Sequence, residues 1–179
     1  SHIPQMLPQK QLNAKKYIIL LGLCVLAFLP FLRFIITGSS NMGHCIFCEI
    51  SAGKQPNTVI DFENEDFVIF KDIKPSSTYH YLAVPKRHVE SLKSLTKNDI
   101  GLVNSMEQGL KSFFEKNNIS TTDALFGFHL PPFITVKHLH MHGIAPRSTM
   151  SFVHRMMFKT GSAWFKTVEE ARQYLQEKA

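Results

Sequence analysis

The chain has 179 residues, 44% of them apolar, which suits one packed domain with an appendage. Of its 20 basic and 14 acidic residues, Lys10, Lys15, Lys16 and Arg33 and no acid fall in residues 1–43, so residues 44–179 carry 16 bases against 14 acids. So near-neutral a body lacks the clustered basic face that nucleic-acid backbone binding needs. With three cysteines it is also no disulfide-stapled secreted fold, which favours a cytoplasmic or nuclear body.

Three segments organise the chain: a leader (1–43), a body (44–147) and a C-terminal extension (148–179). In the leader, residues 17–36, "YIILLGLCVLAFLPFLRFII", have the length and apolarity to cross a bilayer. They read as a candidate membrane anchor or uncleaved signal-like segment, set apart from the chemistry, with no small-x-small cleavage site after them. Lys15 and Lys16 favour a cytosolic N-terminus, which would carry the body across the membrane and conflicts with a reducing compartment. Met42, just ahead of the body, offers an alternative start.

In the body, "IFCEIS" predicts a short helix closed by Gly53. "TVIDFENEDFVIFKDI" predicts two strands about the polar turn "ENED", and "HYLAVPK" a third that Pro85 ends. From Thr96 the apolar period lengthens to 3.6. Thr96 serves as N-cap with Asp99 three residues on, and Ile100, Val103, Met106, Leu110 and Phe113 or Phe114 form the buried stripe of a long helix. "ALFGFH" and "ITVKHLHMHGIA" predict two more strands joined by "LPPF". In the tail, Thr167 and Glu170 have capping-box spacing ahead of a terminal helix. Together these elements predict an α+β domain: a five-stranded antiparallel sheet with one long helix, a short N-terminal helix and a helical tail.

Within "KHLHMHGIAP" the histidines at 138, 140 and 142 alternate at the strand period, which puts three imidazoles in a row on one face. Neutral imidazole is a competent nucleophile toward phosphorus. The attacked phosphate needs donors already in place and its leaving group needs a proton, so a row of rings can divide the labour around the central His140. If His140 attacks through one ring nitrogen, the other must be held as N–H by an acceptor. Separately, Cys45 and Cys48 form C-x-x-C. Joined by two histidines they would make a tetrahedral zinc site; otherwise they are a redox pair or two buried thiols.

The triad, together with "CIFCEISAGKQP" and "FENEDFVIFKDIKPSSTYHYLAVPKRHVESL" in that order, resembles the histidine triad (HIT) family and its adenosine phosphoramidase branch over residues 45 to about 146. The resemblance implies a HIT-like fold, a purine nucleotide substrate such as an AMP conjugate, chemistry that needs no cofactor, and a homodimer through the long helix and a strand. It implies that His140 is the nucleophile, that His142 donates to phosphate oxygens and that His138 completes the triad. Asp72 would grip the ribose hydroxyls, Thr135 would contact phosphate, and Ile46, Phe47, Ile50, Phe70 and Ile73 would line the base slot, although each of these five also suits plain core packing. Zinc would be held by Cys45, Cys48, His88 and His138.

The chain departs from the small phosphoramidases just before the triad, where "GFH" replaces an Asn-Glu-Gly stretch and Gly127 stands in the Asn position. His80, His129 and His154 read as structural or solvated, with His129 the one candidate for a leaving-group contact. Two other enzymatic readings are hydrolysis of dinucleoside polyphosphates and of adenylated ends. A third reading is a zinc-stabilised nucleotide-binding or scaffolding module.

Overall fold

The computed structural model describes residues 44–178; the leader, with its candidate membrane segment 17–36, lies outside them. Among the described residues no helix is long and apolar enough to cross a membrane.

Helix α1 (Ile46–Ser51) leads into three strands, β1 (Ile60–Glu63), β2 (Phe67–Lys71) and β3 (Tyr79–Pro85), paired antiparallel in sequence order. The long helix α2 (Ile100–Lys116) follows. Its entry is the predicted capping box, in which the Thr96 N–H donates to the Asp99 carboxylate at 2.8 Å, and a single 3₁₀ turn, Lys97–Asp99, intervenes before the α-helix. From Val103 on the predicted stripe is buried, with Val103, Met106, Leu110 and Phe114 fully enclosed, while Ile100 is only partly buried. Each such side chain contributes about 1.5–3 kcal/mol through removal from water.

Strands β4 (Leu125–His129) and β5 (Met141–Ala145) complete the core of the sheet, with β5 between β3 and β4. The five-strand expectation is corrected by a sixth strand, β6 (Phe165–Thr167), so the order is β1-β2-β3-β5-β4-β6. β6 pairs Gly127 with Thr167, Phe128 with Lys166 and His129 with Phe165, which satisfies backbone groups that β4 would otherwise expose at the sheet edge. Gly127 permits this approach: a Cβ there would sit 2.3 Å from the Lys166 carbonyl oxygen and 2.5 Å from the Phe165 ring.

The strand expected over residues 134–145 starts only at Met141. Upstream of it the Leu139 N–H leaves the ladder and donates to the Val89 carbonyl at 2.6 Å. Between β5 and β6 the extension forms a short helix that the sequence did not announce, α3 (Phe152–Met157), capped by Ser151 Oγ accepting from the His154 N–H. Helix α4 (Val168–Glu177) follows the predicted Thr167–Glu170 capping box and buries Val168, Ala171 and Leu175. Arg172 ties α4 to α2 through Glu107.

Strand alternation divides the core between the two faces of the sheet. Phe67, Ile69, Tyr81 and Ala83 pack in one cluster with α2, together with Leu139 and Met141. On the other face Val68, Phe70, Leu82 and Val84 pack with Phe47 and Ile50 of α1. Residues 138, 140 and 142 alternate with Leu139 and Met141, so the three histidines point away from the long helix. The row survives although only His142 lies inside β5.

Candidate active site

His140 is the most tightly specified member of the row. It is buried, and its Nδ1 lies 2.7 Å from the carbonyl oxygen of His138. A carbonyl only accepts, so Nδ1 carries the proton and Nε2 presents a lone pair. Burial lowers the pKa of His140, partly offset by its bond to the His138 carbonyl, which keeps the ring neutral and Nε2 available. Phe47 stands edge-on to this ring with centroids 5.3 Å apart, and the His142 ring is 5.0 Å away.

His142 belongs to a longer chain whose protons can be assigned from its two ends. The Ser76 N–H donates to His80 Nδ1 at 3.1 Å, so the His80 proton resides on Nε2, 2.9 Å from His142 Nδ1. At the other end the carbonyl of Met157 lies 3.0 Å from His129 Nε2, which must therefore be the N–H, leaving His129 Nδ1 as acceptor 3.2 Å from His142 Nε2. One assignment satisfies every link: His80 donates to His142, His142 donates to His129, and His129 donates to the backbone. Burial lowers the pKa of His80 to about 3 and of His129 to about 4, and holds His142 well below its ordinary value. Phe158 closes the cluster, with its ring 4.7 Å from His129, 5.1 Å from His142 and 5.7 Å from His80.

The sequence reading missed this arrangement. The expectation that His80 is structural or solvated, and that His129 is at most a leaving-group contact, did not include what the structure shows: both bond directly to His142. A usable signal existed for His80, which shares strand parity with the buried Leu82 and Val84. None existed for His129, because its acceptor Met157 and its neighbour Phe158 lie in α3 and just beyond it, a helix without a sequence signature.

The predicted metal ligands converge. Cys45 Sγ lies 3.3 Å from His138 Nδ1, and Cys48 Sγ lies 3.3 Å from His88 Nδ1 and 3.4 Å from His138 Nδ1. Tetrahedral zinc, with Zn–S near 2.3 Å and Zn–N near 2.0 Å, sets neighbouring sulfur and nitrogen ligands about 3.5 Å apart, close to these separations. The tautomer fits as well. His138 Nε2 donates to the Pro85 carbonyl at 2.8 Å, which leaves Nδ1 unprotonated toward the sulfurs. Burial and the neighbouring Cys45 push the pKa of the Cys48 thiol up to about 11. Both nitrogens of His138 are thus committed, and what it offers His140 is its backbone carbonyl. A second group, Asp72, His80 and His142, also brings its ligand atoms within 4.8 Å of one another, but the hydrogen-bond chain already accounts for both histidines.

Among the predicted nucleotide contacts, Phe47, Ile50 and Phe70 are brought together in one buried cluster beside His140. Ile46 is 41% exposed at the edge of α1, while Ile73 is 91% exposed and Thr135 is exposed in the β4–β5 connection; neither of the last two joins that cluster. Asp72 accepts the Lys74 N–H at 2.8 Å and lies 3.4 Å from His80 Nε2, its pKa raised by burial. A cavity of about 10 Å³, room for one water, is lined by His129, Ile134, His138 and His140 among others. A nucleotide needs several hundred Å³, so this cavity by itself does not hold one.

Comparison with known proteins agrees with this geometry. Residues 44–158 match the family described as scavenger mRNA decapping enzyme C-term binding. The chain is 46% identical over 137 residues to the adenosine 5'-monophosphoramidase HINT3 of Mus musculus, covering 75% of this chain and 81% of that one. It is 42% identical to the Xenopus tropicalis protein of the same name, covering 74% and 87%. A HIT family hydrolase from Legionella pneumophila Philadelphia 1 superposes with a TM-score of 0.56 at 25% identity, over 61% of this chain and 97% of that one. The chain belongs to the histidine triad family of hydrolases.

Proposed function

We propose that the protein hydrolyses the P–N bond of adenosine 5'-phosphoramidates through a nucleotidyl-histidine intermediate on His140. The observation that carries this reading is the 2.7 Å bond between His140 Nδ1 and the His138 carbonyl, which leaves Nε2 as a neutral, oriented nucleophile. In the first step the Nε2 lone pair forms a bond to the α-phosphorus. The P–N bond breaks, its electron pair leaves with the amine nitrogen, and that nitrogen takes up a proton from solvent. In the second step water attacks the same phosphorus and gives up a proton to solvent, the P–Nε2 bond breaks with its electron pair returning to Nε2, and AMP departs. His142 supplies an N–H to the phosphate oxygens as negative charge gathers there, and His80 holds it for that purpose. Phe47, Ile50 and Phe70 supply the apolar wall for the base, Ile46 and Ile73 its exposed rim, Asp72 the acceptor for the ribose hydroxyls, and Thr135 a phosphate contact.

Zinc fits this scheme as a structural ion on Cys45, Cys48, His88 and His138, where it would order the backbone whose carbonyl holds the nucleophile. Pairing of two copies would use the long helix α2 with one of the two edge strands, β1 or β6, because β6 covers the outer edge of β4. Membrane attachment and compartment rest on residues 17–36, and the cytoplasmic or nuclear reading of the body rests on its cysteine usage.

A second reading, a zinc-stabilised nucleotide-binding module with weak activity, draws on the small cavity beside a His140 that is only 7% exposed. Turnover decides between them. On one preparation tested with an adenosine phosphoramidate, a diadenosine polyphosphate and an adenylated DNA end, the phosphoramidate is expected to be hydrolysed fastest. His140→Ala is expected to lose roughly 1000-fold or more in kcat while still binding AMP. Unchanged turnover in that variant rules out the nucleophile.

A further inference from the structure

Residues 156–158, at the end of α3, bring the C-terminal extension onto the histidines. A helix leaves its last carbonyls without intrahelical partners. Here two of them are taken up by side chains: the Met156 carbonyl by the Trp164 Nε1–H at 3.1 Å, and the Met157 carbonyl by the His129 Nε2–H at 3.0 Å. The Phe158 N–H closes the turn on the His154 carbonyl at 3.0 Å. Anchored in this way, Phe158 is 3% exposed and lies against His80, His129 and His142 at once, with ring centroids 5.7, 4.7 and 5.1 Å away. Among the described residues no other phenyl ring contacts all three.

His142 carries the N–H that the proposed reaction turns to a phosphate oxygen. In the free protein that Nε2–H rests on His129 at 3.2 Å, so the hydrogen bond must change partner during turnover while the ring keeps its place. His80 holds the Nδ1 end at 2.9 Å, and Phe158 meets the His142 ring nearly edge-on, at 80°. An apolar group in this position also denies water a place from which to compete for the His80 and His142 N–H groups. Burial is accordingly the leading cause of the lowered pKa of all three histidines.

We propose that Phe158 is a positioning residue of the active site: packed on His80, His129 and His142 together, it excludes water from their hydrogen-bond chain and keeps the His142 Nε2–H in place for phosphate. Its kinetic consequence rests on the phosphoramidase reading; the shielding of the rings in the free protein does not. Phe158 packs with Leu125, Ile144, Met150 and Phe165, whereas the proposed wall for the base, Phe47, Ile50 and Phe70, belongs to a separate cluster. Loss of Phe158 therefore acts on kcat and spares nucleotide affinity.

The test uses the full chain with Phe158→Ala, Phe158→Leu and, as a packing control from the same apolar cluster, Leu125→Ala, four residues from His129 along β4. Turnover of an adenosine phosphoramidate per folded molecule and AMP affinity are measured beside the proton magnetic resonance spectrum of the free protein at neutral pH, in which histidine ring N–H groups shielded from water stay visible. Wild type and Leu125→Ala are expected to show these signals. Phe158→Ala is expected to lose them, to lose roughly 100-fold in kcat and to bind AMP as wild type does. Phe158→Leu keeps an apolar side chain without the flat ring and is expected to show the same loss on a smaller scale, roughly 10-fold; it is the variant read if alanine unfolds the chain. A Phe158 variant that keeps the signals, or whose kcat falls no further than that of Leu125→Ala, overturns the proposal and leaves the phosphoramidase reading intact, as does a wild type without the signals. No turnover by wild type overturns the phosphoramidase reading and the positioning role with it.

Discussion

Acid should unfold this domain early, and His129 is a measurable part of the reason. Its pKa is about 4 in the fold, against about 6.5 for an exposed histidine, with burial as the leading cause. A proton therefore binds the unfolded chain more readily than the folded one. Stability is fully present above pH 6.5 and is lost as pH falls from there toward 4. At pH 5 the gap is about 1.5 pH units, worth about 2 kcal/mol at about 1.4 kcal/mol per unit. His80, at about 3 in the fold, adds a similar loss over the same interval, so the two together remove about 4 kcal/mol. That is a large part of the 5–15 kcal/mol typical of a domain. The assay is urea unfolding at pH 7.5 and pH 5, followed by far-UV circular dichroism, for wild type and His129→Phe. Wild type should lose about 2 kcal/mol more than the variant between the two pH values. Equal losses would show that His129 is not held neutral by its surroundings.

Other expectations are as direct. Gly127→Ala forces a Cβ against the Lys166 carbonyl and the Phe165 ring, and should cost about 1–3 kcal/mol, seen as a lower melting temperature. Protein purified without chelator should carry close to one zinc per chain by atomic emission, and Cys48→Ser should lose most of it; wild type with none would reject the four-ligand site.

The elements that local pattern specifies were legible. The α2 stripe repeats every three or four residues and carries its own cap, so nothing distant is needed to recognise it. The alternation of His138, His140 and His142 with Leu139 and Met141 likewise separates the two faces of the sheet, and the C-x-x-C pair found its two histidines as the family resemblance implied. What stayed hidden depends on partners far along the chain. β6 is three residues long and is a strand only because β4 has a free edge and Gly127 lets it approach. His80 gains its role from His142, 62 positions away, and His129 from a carbonyl in an unsignalled helix. The exposure of Ile73 and Thr135 reflects turns whose course no local pattern dictates.

The central claim is a phosphorus–nitrogen bond on one ring atom. Rapid quench of the full chain turning over an adenosine phosphoramidate, without acid, followed by proteolysis and mass spectrometry, reads it directly. The account predicts an adenylyl group on the peptide containing residues 138–142, localised to His140 and absent from His140→Ala. An adduct on His142 or His129, or turnover with no adduct at any quench time, would contradict it.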